Sequence, residues 1–215
     1  MPAMAVRHGP EGYAMVHAAQ ASIHAALREC TQRRHDTIEA LLRLDDTLDI
    51  GRYGRVLQGF EAFLTAWEPQ VAALLPLPVA GRFLARSRLG FVRADLRALG
   101  LPRWPLPHVD LPRLPLSSPA AAFGSWYVLA GSALGGQLIA RRAAAQLGLT
   151  PARGTAYFHG WGTSTVAHWR DYLNVLADEV PATGPDAAQA CEAARATFDR
   201  LIGTFACLLD ERVAA

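Results

Sequence analysis

Cysteine is scarce in this chain, with three residues, Cys30, Cys191 and Cys207, in 215. They form no CxxC pair and cannot all be bridged, which argues against a structural zinc site and against a disulfide scaffold. With no secretory leader in view, they read as the reduced thiols of a cytoplasmic protein. An excess of charge of one sign is lacking too. The 21 basic and 19 acidic side chains leave a formal charge of +2. The basic residues are scattered, without the dense stripe a nucleic-acid binder carries. No run alternates with period two and no internal repeat is evident, which removes sheet-rich and solenoid architectures. Long apolar runs are limited to one charge-free stretch, Ala120 to Ala140. Its length allows a membrane span and Gly131 and Gly135 form a GxxxG, but four glycines, two serines and a glutamine dilute it. No span is expected.

What is present is helical periodicity in a chain that is 51% hydrophobic, enough for one full core. The first 15 residues hold three methionines, Gly9, Pro10 and Gly12 and read as a loose tail, leaving 16–215 as one domain. Ile23, Leu27, Thr31, His35, Ile38 and Leu42 share one helix face. A second helical pattern runs from Tyr53 to Leu74, with Asp49 as its cap and Pro76 as its stop. A third covers about Gly81 to Leu99 and ends at Gly100. Six prolines between Leu101 and Pro119 then make an extended connection. Ser118 and Pro119 open a fourth helix that stops at Gly148. Helices from Thr163 to about Asp178 and from Pro185 onward complete an all-α, single-domain fold.

Two features ask for a chemical reading. His35 lies on an apolar helix face, where it is either a core histidine with its ring nitrogens satisfied by backbone groups or a metal ligand. Gly131, Gly135 and Gly136 sit inside a helix, where each costs about 1 kcal/mol against alanine. They serve tight helix packing, a kink, or the close approach of a flat ligand to bared backbone. A histidine on one helix and a glycine-bared helix opposite would suit the two faces of a heme.

These stretches resemble those of a known family, the heme oxygenases. "LRECTQRRHDTIE" is similar to the family's proximal helix, with Arg28 seven residues before His35 and Glu39 four after it. "YVLAGSALGGQ" resembles the distal signature at Gly131, Gly135, Gly136 and Gln137. "YGRVLQGFEAFLTAWE" looks like an intervening helix of bacterial members, and "WRDYLNVL" like the helix whose arginine, here Arg170, meets a heme propionate. The resemblance runs in order from Leu27 to Leu176. Ser132 departs from it, standing where many members have a catalytic aspartate. Leu134 replaces a serine, and Trp126 stands where some members have tyrosine, with Tyr127 adjacent. The "GSALGG" form looks most like the bacterial branch that accompanies bacteriophytochromes.

The resemblance implies a helical fold with heme between a proximal and a glycine-kinked distal helix. Heme would be both cofactor and substrate, consumed with dioxygen and electrons from a ferredoxin or flavoprotein reductase to give biliverdin, carbon monoxide and iron. A bacteriophytochrome would be the acceptor of the bilin. His35 would bind iron and Glu39 would meet the imidazole N–H or a nearby water. Arg28 and Arg170 would neutralise propionates. Tyr127, Gly131, Gly135 and Gly136 would line the heme, with Gly131, Ser132 and Gly135 on the side where water and oxygen are held. His24 is a rival ligand three turns earlier, roughly 16 Å along the helix, so both histidines cannot serve one iron. Other classes remain open: a heme carrier or sensor on the same fold, or a related helical fold holding a di-iron centre or a pyrimidine. Against the di-iron reading, the chain has no ExxH spacing.

Overall fold

Helix starts and stops follow local chemistry. Asp49 accepts from the Arg52 backbone N–H at 2.7 Å and opens one helix, and Ser118 does the same from Ala121 at 3.1 Å for another. Gly148, at φ +65°, closes the second of these in the left-handed region that favours glycine. The computed structural model describes residues 10–44, 47–102 and 113–209, with residues 10–22 as backbone only. The elements are α1 (Pro10–Leu42), α2 (Ile50–Ala72), α3 (Leu77–Ala85), α4 (Leu89–Ala98), α5 (Pro119–Leu147), α6 (Ala156–His159), α7 (Thr165–Glu179) and α8 (Pro185–Leu209). No strand occurs among the described residues, and no helix there is long and apolar enough to cross a membrane.

The structure differs from the sequence expectations at three places. α1 begins at Pro10, inside the stretch read as a tail, because proline is suited to a first helical turn; residues 1–9 lie outside the described residues. The third expected helix is two, α3 and α4. Between them the Ser87 hydroxyl donates to the Glu68 carboxylate at 2.7 Å and accepts from the Leu89 N–H at 3.1 Å, a local alternative to helical bonding. The one-turn α6 was too short to show periodicity. Most of the proline-rich connection, residues 103–112, lies outside the described residues.

α8 is the common floor, packed along both α5 and α1. Phe60 of α2 meets Tyr157 and Phe205 at 4.7 and 4.9 Å between ring centroids, which seats α2 on α6 and α8. A buried polar chain crosses the same core. The Trp67 indole N–H donates to Ser125 Oγ at 2.8 Å, Ser125 and Thr197 share a 2.7 Å bond, and Thr197 donates to the Ala193 carbonyl. Asp95 on α4 accepts from the Ala156 and Tyr157 N–H groups, both at 2.8 Å, and so caps α6 from outside. Burial raises the Asp95 carboxyl above its usual range, and those N–H donors oppose the rise.

Glycine marks the closest helix contact. A Cβ at Gly124 would overlap the Ala190 backbone of α8, whereas a Cβ at Gly135 would meet nothing within 4 Å. Gly124→Ala is therefore expected to destabilise by about 1–3 kcal/mol through overpacking. Gly135→Ala is expected to be neutral or to stabilise by up to about 1 kcal/mol, since it removes only backbone freedom. Urea unfolding of the two variants checks the contrast, and equal effects would contradict it.

Candidate functional site

α1 and α5 rest side by side on α8, and the described side chains tie them together at two levels. At one end the His24 ring packs on Tyr127 at 6.0 Å and on Trp169 of α7 at 5.6 Å, and Thr31 lies at the Tyr127 hydroxyl. At the other end Arg142 of α5 donates to the Leu44 carbonyl just past α1, at 3.3 Å. Between these ties lie about three turns of α1 and four of α5. On a 3.6-residue period the α5 residues sharing a side with Tyr127 and Arg142 are Gly131, Leu134, Gly135 and Leu138. Leu134, Gly135 and Leu138 are exposed, Leu138 to 48%. The result is an open slot with an apolar, glycine-bared wall.

His35 is on the α1 side of that slot, one turn past Thr31. Its side chain is 51% exposed, so it is not the buried core histidine that its place on the apolar stripe allowed. Ile23, Leu27, Thr31, Ile38 and Leu42 of the same stripe are buried. Phe198 of α8 stands edge-on beneath the ring, 6.2 Å between centroids. The Glu39 carboxylate lies 3.5 Å from Nδ1. Nδ1 is thus the nitrogen on the Glu39 side, and Nε2 is the one left for a ligand. With Asp36 these side chains form an exposed cluster whose ligand atoms lie within 4.8 Å of one another.

The other expected residues divide. Gly131 faces the Trp169 indole, with room for a Cβ in ordinary contact. Tyr127 is half-buried at the closed end, and burial raises its phenol. Arg28 is exposed close to His24 and Tyr127, and Arg170 is exposed beside Trp169. Gly136 points elsewhere. A Cβ there would come within 2.8 Å of the Phe158 carbonyl, so it is a packing contact with α6. Gln137 donates to the Gly162 carbonyl and ties α5 to the turn before α7. Ser132 also turns from the slot: its hydroxyl accepts from Arg88 at 2.6 Å and donates to the Leu129 carbonyl at 2.9 Å.

Three residues of this neighbourhood escaped the sequence reading. Trp169 closes one end of the slot and Phe198 supports His35. Arg88 is buried to 5% exposure, donates also to the Leu129 carbonyl, and stacks over the Tyr157 ring at 4.6 Å. Trp169 adjoins Arg170 in a stretch already singled out, so its signal was there. Arg88 and Phe198 carry none, because nothing in a single sequence separates a buried arginine or a site phenylalanine from ordinary ones. Arg88 also borders a cavity of about 40 Å³ on the other side of α5, with Glu68, Leu129, Ala133, Thr165 and His168. Thr165 Oγ1 and His168 Nδ1 find no partner among the described residues, so that cavity suits ordered water. Burial raises the Glu68 carboxyl, against its bond from Ser87 and the charges of Arg88 and Arg93.

The backbone path matches a solved structure, the heme oxygenase of Neisseria meningitidis in its NO- and CO-bound forms, with a TM-score of 0.68. The alignment covers 86% of this chain and 92% of that one at 22% identity. The chain has the heme oxygenase fold. Residues 109–206, which hold the Gly131–Gln137 signature and Arg170, match the family model described as heme oxygenase. A curated heme oxygenase from Xanthomonas campestris pv. campestris (strain 8004) is 38% identical over 96 residues, 44% of this chain. That match spans about half of the relative, 54% of its length.

The histidine at the closed end of this heme oxygenase fold gives a pH test. Burial against Tyr127 and Trp169 lowers the His24 pKa, and the Arg28 charge lowers it further. The folded chain therefore resists protonation that the unfolded chain accepts near pH 6.5, so stability is full above that pH and falls below it. His168 shifts in the same direction for the same first cause, with Arg86 adding and Asp171 opposing. His24→Asn is expected to reduce the loss of stability between about pH 6.5 and 5. Unchanged pH dependence in denaturant melts would show that the ring is not desolvated.

Proposed function

We propose that this protein is a heme oxygenase that binds heme in the slot between α1 and α5 and converts it to biliverdin, carbon monoxide and iron. The observation that carries the reading is an exposed imidazole on α1 across from a stretch of α5 that offers bare backbone at Gly135 and exposed leucines at 134 and 138. The donor set fits the group. An imidazole with a free Nε2 suits heme iron, an apolar wall suits a porphyrin face, and arginines at the rim suit carboxylates.

When bound, heme supplies both the iron at which dioxygen is activated and the porphyrin edge that is oxidised, with electrons from an external donor. His35 would hold the iron through its imidazole. Glu39 orients the ring from the Nδ1 side, and the edge-on contact with Phe198 fixes the ring plane. Arg28 and Arg170 are the cations for the propionates. Gly131 and Gly135 admit the ligand to the helix backbone, while Tyr127 and Trp169 exclude water from one end. Ser132 holds no proton of its own to give near neutral pH. Its hydroxyl is committed to Leu129 and Arg88, so in this chain it positions the helix wall through a buried guanidinium.

The finer reading follows the "GSALGG" form. The electrons come from a ferredoxin or flavoprotein reductase, the protein works in the cytoplasm, and the biliverdin serves as chromophore for a bacteriophytochrome. A second reading, a heme carrier or sensor on the same fold, is favoured by one observation: serine stands at the aspartate position with its hydroxyl already engaged.

Hemin titration and turnover separate these. Wild type is expected to give a Soret band that bleaches to a green product with ascorbate or a ferredoxin system; a lasting Soret band identifies the carrier. His35→Ala is expected to lose the axial spectrum and turnover, both partly restored by added imidazole, while His24→Ala keeps them. The reverse pattern would move the ligand to His24. Ser132→Ala is expected to slow turnover only about two- to tenfold, the worth of one hydrogen bond of about 0.5–1.5 kcal/mol.

A further inference from the structure

Cys30 and Cys191 meet across the α1–α8 interface, on the side of α1 that packs on α8. The Cys30 thiol donates to the Leu27 carbonyl at 3.3 Å within its own helix and reaches the Cys191 carbonyl at 3.9 Å. The two thiols are near enough for each to shift the other's titration. Both residues are half-buried, so two packed helices hold them in place while a small molecule can still reach them. Glu29 is near Cys191, and two arginines flank the pair. Arg195 lies beside it with Glu192 at 3.1 Å, and Arg34 lies beside it in a bidentate pair with Asp199 at 2.7 and 3.0 Å. The adjacent Cys30 thiol lowers the Cys191 thiol to about 7, with help from Arg195 and against burial and the Glu29 charge, and the same pairing raises Cys30. One thiol supporting the other as thiolate is the arrangement of an attacking cysteine and its resolving partner. No role in the slot uses either residue.

We propose that Cys30 and Cys191 are a peroxide-reactive dithiol that closes to a disulfide and ties α1 to α8 next to His35. In the first step the Cys191 thiolate attacks one oxygen of hydrogen peroxide. An S–O bond forms, the O–O bond breaks, and the departing hydroxide takes a proton and leaves as water. In the second step the Cys30 sulfur attacks the Cys191 sulfur. The S–S bond forms, the S–O bond breaks, and a second water leaves with the Cys30 proton. Two thiols are oxidised by two electrons and one peroxide is reduced to two waters. A dithiol reductant reverses the bond by exchange. The link would fasten the helix that carries His35 to the helix that carries Phe198, where the described side chains now offer the surface ion pair Arg34–Asp199. This proposal stands whatever the slot binds.

The test uses the intact protein treated with hydrogen peroxide, denatured, alkylated and digested for mass spectrometry. Its three cysteines are all free before treatment. The expected result is one alkylated cysteine, Cys207, a linked Cys30–Cys191 peptide with two hydrogens fewer, and full recovery with dithiothreitol. Cys207→Ser should form the same link. Cys30→Ser should stop at a sulfenic acid on Cys191 that dimedone traps. Three alkylated cysteines after treatment would overturn the proposal. So would a link to Cys207 or between two chains, or a Cys191 that is over-oxidised in wild type with Cys30 still free.

Discussion

The contact of α5 with α8 at Gly124 and Ala190 is the constraint on which the rest of the structure depends. With no side chain between them the two helix backbones touch, and this fixes the rotation of α5 about its axis. The side bearing Ala133, Gly136 and Ala140 is then spent on the interior, on α6 and on the cavity beside Arg88. The side bearing Tyr127, Gly131, Gly135 and Leu138 is left toward α1. Because α1 also lies on α8, the two helices share one floor, and their separation is set by it, with the ties at Tyr127 and Arg142 marking the ends. The slot is a consequence of that geometry before it is a binding site.

A buried guanidinium holds the far side of α5 in place. Arg88 reaches the Leu129 carbonyl and Ser132, and its face lies on Tyr157. Glu68 supplies opposite charge nearby while fixing the break between α3 and α4 through Ser87. A carboxylate at position 132 would meet that cation directly. Serine there leaves Arg88 to the backbone and to Glu68, which changes the electrostatics of the helix wall without changing its course.

Much of the fold was legible in the sequence, and the reasons are local. Asp49, Ser118, Pro119 and Gly148 act within one turn of where they stand, so their helix ends could be read directly. The break at Ser87 and the one-turn α6 could not, since both depend on partners far along the chain, Glu68 for one and Asp95 for the other. At the candidate site, residue type marked His35, Glu39 and the glycines. Their directions were beyond its reach. Periodicity put His35 among buried neighbours, yet the gap opposite leaves it half exposed. Gly136 and Ser132 looked equivalent to Gly135 in the motif, but helical rotation turns both away from α1. Phe198 and Trp169 enter only because α8 and α7 fold back against α1.

The central claim is that the space between α1 and α5 is the place where heme binds. Amide hydrogen exchange of the intact protein with and without hemin tests it directly. Added protection concentrated in residues 31–42 of α1 and 127–142 of α5 is the result the account requires. Protection confined to α3, α4 and the turn before α7, around the cavity beside Arg88, would contradict it and place the ligand on the opposite side of α5.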